Sequence, residues 1–320
     1  MPSSNTNKQP SLAVLSSRLT SATLPSDAIA ALTALLGVIK ESYQSATGDG
    51  AVGEPTPAAR ELVSSPSVMG ALCTLLGSPS YLERDHGAGR LVMDGSDGGG
   101  GGGGAESAGR GAELACELAL ALLGGGDEEG GGDDVGKARA GATAGRQKMA
   151  KLASEMLTFS ALASEVGSST GTSGGGGGAV EGRFLNAVLD RLCPTEDASA
   201  EGGGGGGAPS LYPRILSLAV LRRLHTLVPH VVQNQLLTAV PDGLNRLIAL
   251  LGGSGTSTQG DAAASAAASA PPEELRNDIL RLLTDLSAQS SNAARLVIFT
   301  EGYERALSIA TDPISQGGEG

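Results

Sequence analysis

The stretch Ala31-Leu-Thr-Ala-Leu-Leu-Gly37 returns three times with small changes, as Ala71-Leu-Cys-Thr-Leu-Leu-Gly77, Leu118-Ala-Leu-Ala-Leu-Leu-Gly124 and Arg246-Leu-Ile-Ala-Leu-Leu-Gly252. Leucines three and four apart share one helix face. A glycine just past the last of them suits the left-handed position that closes a helix. The four glycines are 40, 47 and 128 residues apart, and the last gap is close to three periods of about 43. Ser160-Ala-Leu-Ala-Ser-Glu-Val-Gly167 falls one such period after Gly124 and reads as a degenerate copy. A period of about 40–47 is that of armadillo and HEAT helical repeats. The expected fold is therefore all-α, an armadillo-like solenoid of stacked helical repeats.

Other helical stripes lie between these marks. Leu12, Leu15 and Leu19 share a face. Ser26 reads as the N-cap of a helix carrying Ile29, Leu32, Leu36 and Ile39. Phe184, Leu185, Val188, Leu189 and Leu192 form a stripe ended by Pro194. Ile215, Leu218, Leu221, Leu224 and Val228 form another, and Leu275, Ile279, Leu282, Leu283 and Leu286 a third. No segment alternates with period two, so no sheet is expected.

Length and composition narrow the function. The 320 residues include 50 Gly, and the glycines cluster in runs. Segments near 45–57, 94–111, 124–145, 167–180, 195–209 and 252–271 are expected to be flexible inserts within one domain spanning 11–312, flanked by disordered tails at 1–10 and 313–320. The net charge of −12 argues against general nucleic-acid binding, and seven aromatics, none of them Trp, leave no stacking platform for single strands. The first residues show no secretory signal, and no apolar run reaches the roughly 18 residues that span a bilayer. Cys73, Cys116 and Cys193 sit in Leu- and Ala-rich surroundings without CxxC spacing. They read as buried reduced thiols of a cytoplasmic protein.

A search for catalytic chemistry finds little. Gly131-Gly-Asp-Asp-Val-Gly136-Lys137 has the glycine–lysine spacing of a phosphate-binding loop. Ala138 stands where the Mg²⁺-binding Ser or Thr belongs, the preceding segment is helical, and neighbouring acids repel phosphate. His225 and His230, five apart, do not share a helix face for a metal, and His86 lies in a turn-like stretch. Glu273-Glu274 suit a helix N-terminus, and Glu128-Glu129 a solvated acidic loop. The expectation is a non-enzymatic protein without cofactor or metal. One stretch departs from the acidic average: between Gly202 and Pro241 there is no Asp or Glu, while Arg214, Arg222 and Arg223 are present. It is either a solvated face whose arginine stems cover apolar surface, or a basic patch for an acidic partner or a lipid headgroup surface.

The C-terminal quarter is more specific. Gly243-Leu-Asn-Arg-Leu-Ile-Ala-Leu-Leu251 leads, after an insert, to Leu275-Arg-Asn-Asp-Ile-Leu-Arg-Leu-Leu-Thr-Asp-Leu286. Asn292-Ala-Ala-Arg-Leu-Val-Ile-Phe299-Thr-Glu-Gly-Tyr303-Glu304-Arg305-Ala-Leu-Ser-Ile309 then follows. Over about seventy residues this resembles the armadillo-like head domain of the general vesicular transport factor family of Golgi vesicle-tethering proteins. The matching positions are Arg276, Asn277, Asp278, Phe299, Glu304, Arg305, Leu307 and Ile309. Tyr303 replaces a Phe, and Thr300 and Glu301 depart from the family's Glu-Asn. The resemblance implies a cytoplasmic protein, peripheral on the Golgi membrane, acting in ER-to-Golgi and intra-Golgi vesicle transport and fusion. Its implied partners are Rab-type small GTPases, golgins and SNARE fusion machinery. The family's dimerising coiled coil has no heptads to represent it here, so the head is expected to be incomplete. The alternative is a generic armadillo-like scaffold for peptides or proteins, unrelated to membranes. Read physically, Phe299 and Tyr303, four apart, would share a buried face. Glu304 and Arg305 would pair across helices, and Asn277 and Asp278 would satisfy donors near a helix start or line a concave face.

Overall fold

The computed structural model describes residues 10–46, 54–77, 103–124, 139–159, 183–193, 211–251, 272–299, 302 and 306–307. Among these there are twelve α-helices, one π-helical turn and no strand. The helices are α1 (Leu12–Ser21), α2 (Pro25–Ala46), α3 (Pro57–Ser64), α4 (Pro66–Gly77), α5 (Gly103–Leu122) and α6 (Arg139–Leu157), then α7 (Arg183–Leu192), α8 (Leu211–Leu227), α9 (Pro229–Asn234), α10 (Gly243–Ala249), α11 (Glu273–Gln289) and α12 (Ser291–Phe299). The π-turn, Gln235–Ala239, continues α9. The chain is all-α.

Most of the apolar positions read from the sequence are buried, with Leu12, Ile29, Ile215 and Val228 partly so. Leu15, Leu19, Leu32, Leu36 and Ile39 are buried, as are Phe184, Leu185, Val188, Leu189 and Leu192. Leu275, Ile279, Leu282, Leu283 and Leu286 line the inner face of α11 in the same way. These side chains merge into a single apolar cluster running from Leu15 to Ala293. Its organisation is regular: each helix from α1 to α8 packs against the helix three further on, α1 on α4, α2 on α5, and so on to α8 on α11. These contacts link α2, α5, α8 and α11 in one series, α1, α4, α7 and α10 in a second, and α3, α6 and α9 in a third. The helix α12 packs on α10 and α11.

Several local expectations are corrected. The helix α2 begins at Pro25, so Ser26 lies inside it and is not its cap; proline supplies a ready-made φ for a first helical position. Residues 103–111 and 139–145, expected as loop, are helical. The cost of each helical glycine, roughly 1 kcal/mol, is outweighed by the packing of α5 against α2 and α8 and of α6 against α3 and α8. The Leu-Leu-Gly copies do not occupy equivalent places. Gly37 sits within α2, and Gly77 is the last residue of α4. Gly252 and the copy ending at Gly167 lie outside the described residues. Of the three described copies only Gly124 takes the left-handed conformation, at φ 66°, closing α5. Ser45 and Ala46, also expected as loop, end α2, and Pro57 begins α3; apart from these, Glu54–Thr56, Gly124 and Pro10, the rest of the expected inserts and the two tails lie outside the described residues.

Gly124 carries a testable consequence. A Cβ there would be strained by the positive φ and would meet Met149 Cε at 3.0 Å. Gly124→Ala is expected to cost about 1–2 kcal/mol in a urea unfolding series; a neutral or stabilising result would mean that α5 does not need this turn.

Among the described residues no single helix is long and apolar enough to cross a membrane. The helix α8 and the segment 229–239 meet the criterion only as a pair bent by 119°.

Candidate functional site

Two groups of residues singled out in the sequence come together. Asp278, on α11, accepts an ion pair from Arg222 of α8 at 2.9 Å, with Arg281 at 3.6 Å on its own helix. Its position is the sixth in α11, past the turn where a side chain can satisfy the helix's free donors, and its role is to tie α8 to α11. The pair is partly exposed, with 44% and 34% of the two side chains accessible, so it contributes at most about 1 kcal/mol. Asn277 is exposed, and Arg276 is half-buried with an Nε that has no hydrogen-bond partner. Glu273 and Glu274 occupy the first turn of α11, where the helix dipole favours acids.

The other two arginines of the stretch without acids face inward, toward helix ends. Arg214 Nε donates to Leu192 O at 3.1 Å, at the end of α7. Arg223 Nε donates to Leu123 O at 3.1 Å and its Nη2 to Gly124 O at 3.4 Å, at the end of α5. Tyr43, from α2, donates its hydroxyl to Leu122 O at 3.1 Å on the same end. Burial pushes the Tyr43 phenol up to about 12, which keeps this donor protonated. The pattern recurs. Gln235 Nε2 donates to Leu157 O at 2.9 Å, closing α6. Arg146 donates to Thr226 O near the end of α8, and Gln233 to Leu286 O near the end of α11. The unsatisfied carbonyls of a helix C-terminus are here met by side chains from neighbouring helices.

The C-terminal motif divides. Phe299 is 80% exposed, against the expectation of a buried face shared with Tyr303. The inner side of α12 is set by Ala293, fully buried, and Val297, partly buried, and Phe299 lies two positions on, about 200° round the helix. Leu296, Ile298 and Leu307 are exposed as well. Tyr303, Glu304, Arg305 and Ile309 lie outside the described residues, as do His86, Glu128-Glu129 and Gly131–Lys137.

The described histidines and cysteines stand apart from one another. His230 is exposed, whereas His225 is 5% exposed and its Nε2 has no partner. Burial holds the His225 imidazole below its usual value, opposed by the negative charge of Asp285. An unfolded chain therefore binds a proton more readily at this position than the folded one. Stability from this group is expected in full above about pH 6.5, the ordinary histidine value, and to fall as pH drops through and below it. Urea midpoints at pH 7.5 and 5.5, compared with those of His225→Gln, check this: the variant should lose less between the two pH values. Equal losses would sink the assignment. The three cysteines are unpaired and buried, with Cys73 and Cys193 pushed up to about 12 by burial, so these two thiols stay protonated near neutrality. Among the described residues no three His, Cys, Asp or Glu side chains are grouped as metal ligands would be.

Two clusters were not singled out in the sequence. Arg246, on α10, donates to Asp190 at 2.7 Å, to Asn186 Oδ1 at 3.2 Å and to Cys193 O at 3.4 Å, fastening α10 to the end of α7. The helix α6 lies in the other. From residue 135 to 154 there are five basic residues and no acid, a signal obscured by the surrounding Gly/Asp run. Lys148 and Lys151 of α6, with Arg60 and Ser64 of α3, line a groove of about 310 Å³.

A scan against protein-family models and searches of curated proteins and of solved structures find no match for this chain.

Proposed function

We propose that the chain is an armadillo-type solenoid that works by binding other proteins, and that its task is the one implied by the C-terminal resemblance, a vesicle-tethering head on Golgi membranes. The observation that carries the solenoid reading is the packing of each helix on the third one along. Read this way, α3–α5, α6–α8 and α9–α11 are successive three-helix repeats, and α2, α5, α8 and α11 are the helices of a continuous wall. Stacked repeats present an extended surface without needing a cleft, which suits a protein whose described histidines, cysteines and acids do not converge. The tethering reading rests on the residues of 243–309. Asp278, one of its motif positions, is the anion that joins two helices of the wall.

The test is sedimentation of the purified chain with Golgi membranes in the presence of Rab-type GTPase loaded with GTP or with GDP. Recruitment that depends on GTP is the expected outcome. Indifference to both membrane and nucleotide overturns tethering and leaves the generic protein-binding scaffold, which proximity labelling in cells would then characterise by its neighbours.

A further inference from the structure

The groove between α3 and α6 gathers positive charge on a chain of net charge −12. Arg60 and Lys148 reach one carboxylate oxygen, Glu54 Oε1, at 3.0 and 2.6 Å. Two cations converging on a single oxygen hold the Glu54 carboxyl below its usual value. Lys151 stands further along the groove, 81% exposed and 3.9 Å from Glu155. The same groove is lined by the hydroxyl-bearing side chain of Ser64, the last residue of α3, which donates to Arg60 O one turn back. Ser64 is exposed, and the chain leaves it through Ser65 in an extended conformation, φ −86° and ψ 108°, before Pro66 opens α4.

From this geometry we propose that Ser64 is a phosphorylation site whose phosphate is received by Arg60, Lys148 and Lys151. A protein kinase would transfer the γ-phosphoryl group of a nucleoside triphosphate. The Oγ–P bond forms, the bond to the nucleoside diphosphate breaks, and the hydroxyl proton passes to the kinase's base. The extended Ser65-Pro66 step gives a kinase an access point that the middle of a helix would not. The product carries close to two negative charges and three acceptor oxygens. Those oxygens match guanidinium and ammonium donors from both sides of the groove. The C-terminal carbonyls of α3 oppose an anion there, but that effect is confined to the last turn and screened at the surface; Arg60, Lys148 and Lys151 outnumber the two carboxylates beside them, Glu54 and the groove-lining Glu155. The consequence is a covalent switch that fastens α3 to α6, one member of its series to the next. This inference is independent of the tethering reading.

The experiment installs phosphoserine at Ser64 in the full chain and follows its ³¹P titration and thermal unfolding, alongside mass spectrometry of the chain isolated from its own cells. Expected are phosphate at Ser64 in the cellular protein, a titration midpoint below the ordinary value of about 6, and a Tm raised by about 2–4 °C. Both solution effects should shrink in the double variant R60Q/K148Q and at 0.5 M salt. A phosphate that titrates at its ordinary value and leaves Tm unchanged or lower overturns the proposal, as does a cellular protein unmodified at Ser64. Binding of an octaglutamate peptide by the unmodified chain, lost in R60Q/K148Q, would with an unmodified cellular Ser64 assign the groove to an acidic partner instead.

Discussion

Phe184→Ala is expected to destabilise the fold by about 3–5 kcal/mol, as buried Phe truncations do. Phe184 is 0% exposed and is the one fully buried aromatic among the described residues. It stands near the start of α7, a ten-residue helix with few internal bonds of its own. That helix is held against α4 on one side and α8 on the other, so its position depends on the volume of the side chains it inserts. The buried residues of α4 and α8 are mainly leucine and valine, and both helices also pack on α5, which limits collapse into the cavity. Urea unfolding should show a lowered midpoint with an unchanged slope. A loss below about 1 kcal/mol would mean that the α4–α7–α8 contact closes easily around a smaller residue, and that α7 is not clamped.

Arg246→Ala follows, at about 2–3 kcal/mol. The side chain is 17% exposed and donates to three acceptors on α7 or just after it. Its removal leaves the Asp190 carboxylate, 33% exposed, accepting from Asn186 Nδ2 at 3.0 Å. Fully buried pairs cost about 3–5 kcal/mol to break; partial exposure places this one lower. Arg246→Lys should recover less than half of the loss, because an ammonium cannot span acceptors that a planar fork reaches together. A double-mutant cycle with Asp190→Asn separates the pair from the rest. A coupling near zero would show that Arg246 acts through its apolar stem alone.

The fold class and most of the core were legible from leucine spacing, because a helix face must repeat every three or four residues to be buried. The stripes on α1, α2, α7 and α11 needed no knowledge of their neighbours. The ends of helices were less legible. The sequence places glycine at four expected ends, and of the three that lie among the described residues Gly124 alone adopts the left-handed turn. The other caps come from Tyr43, Arg146, Arg214, Arg223, Gln233 and Gln235, residues as much as 100 positions from the carbonyls they serve. No local pattern announces a donor that arrives from another helix. For the same reason Arg222 and Asp278 were noticed separately and their pairing was not foreseen. Phe299 failed differently: aromatic residues four apart suggest a shared face, but which face is inward depends on where α10 and α11 lie.

These borrowed caps bear on how freely the helices could be exchanged. In a chain built of self-contained modules, one unit can be duplicated, deleted or transplanted with little loss. Here α5 ends on donors from α2 and α8, and α6 ends on a donor from the π-turn after α9. A segment moved elsewhere would arrive with open carbonyls and would leave open ones behind. Each part is keyed to the particular neighbours it has, and the order of the helices is written into their termini.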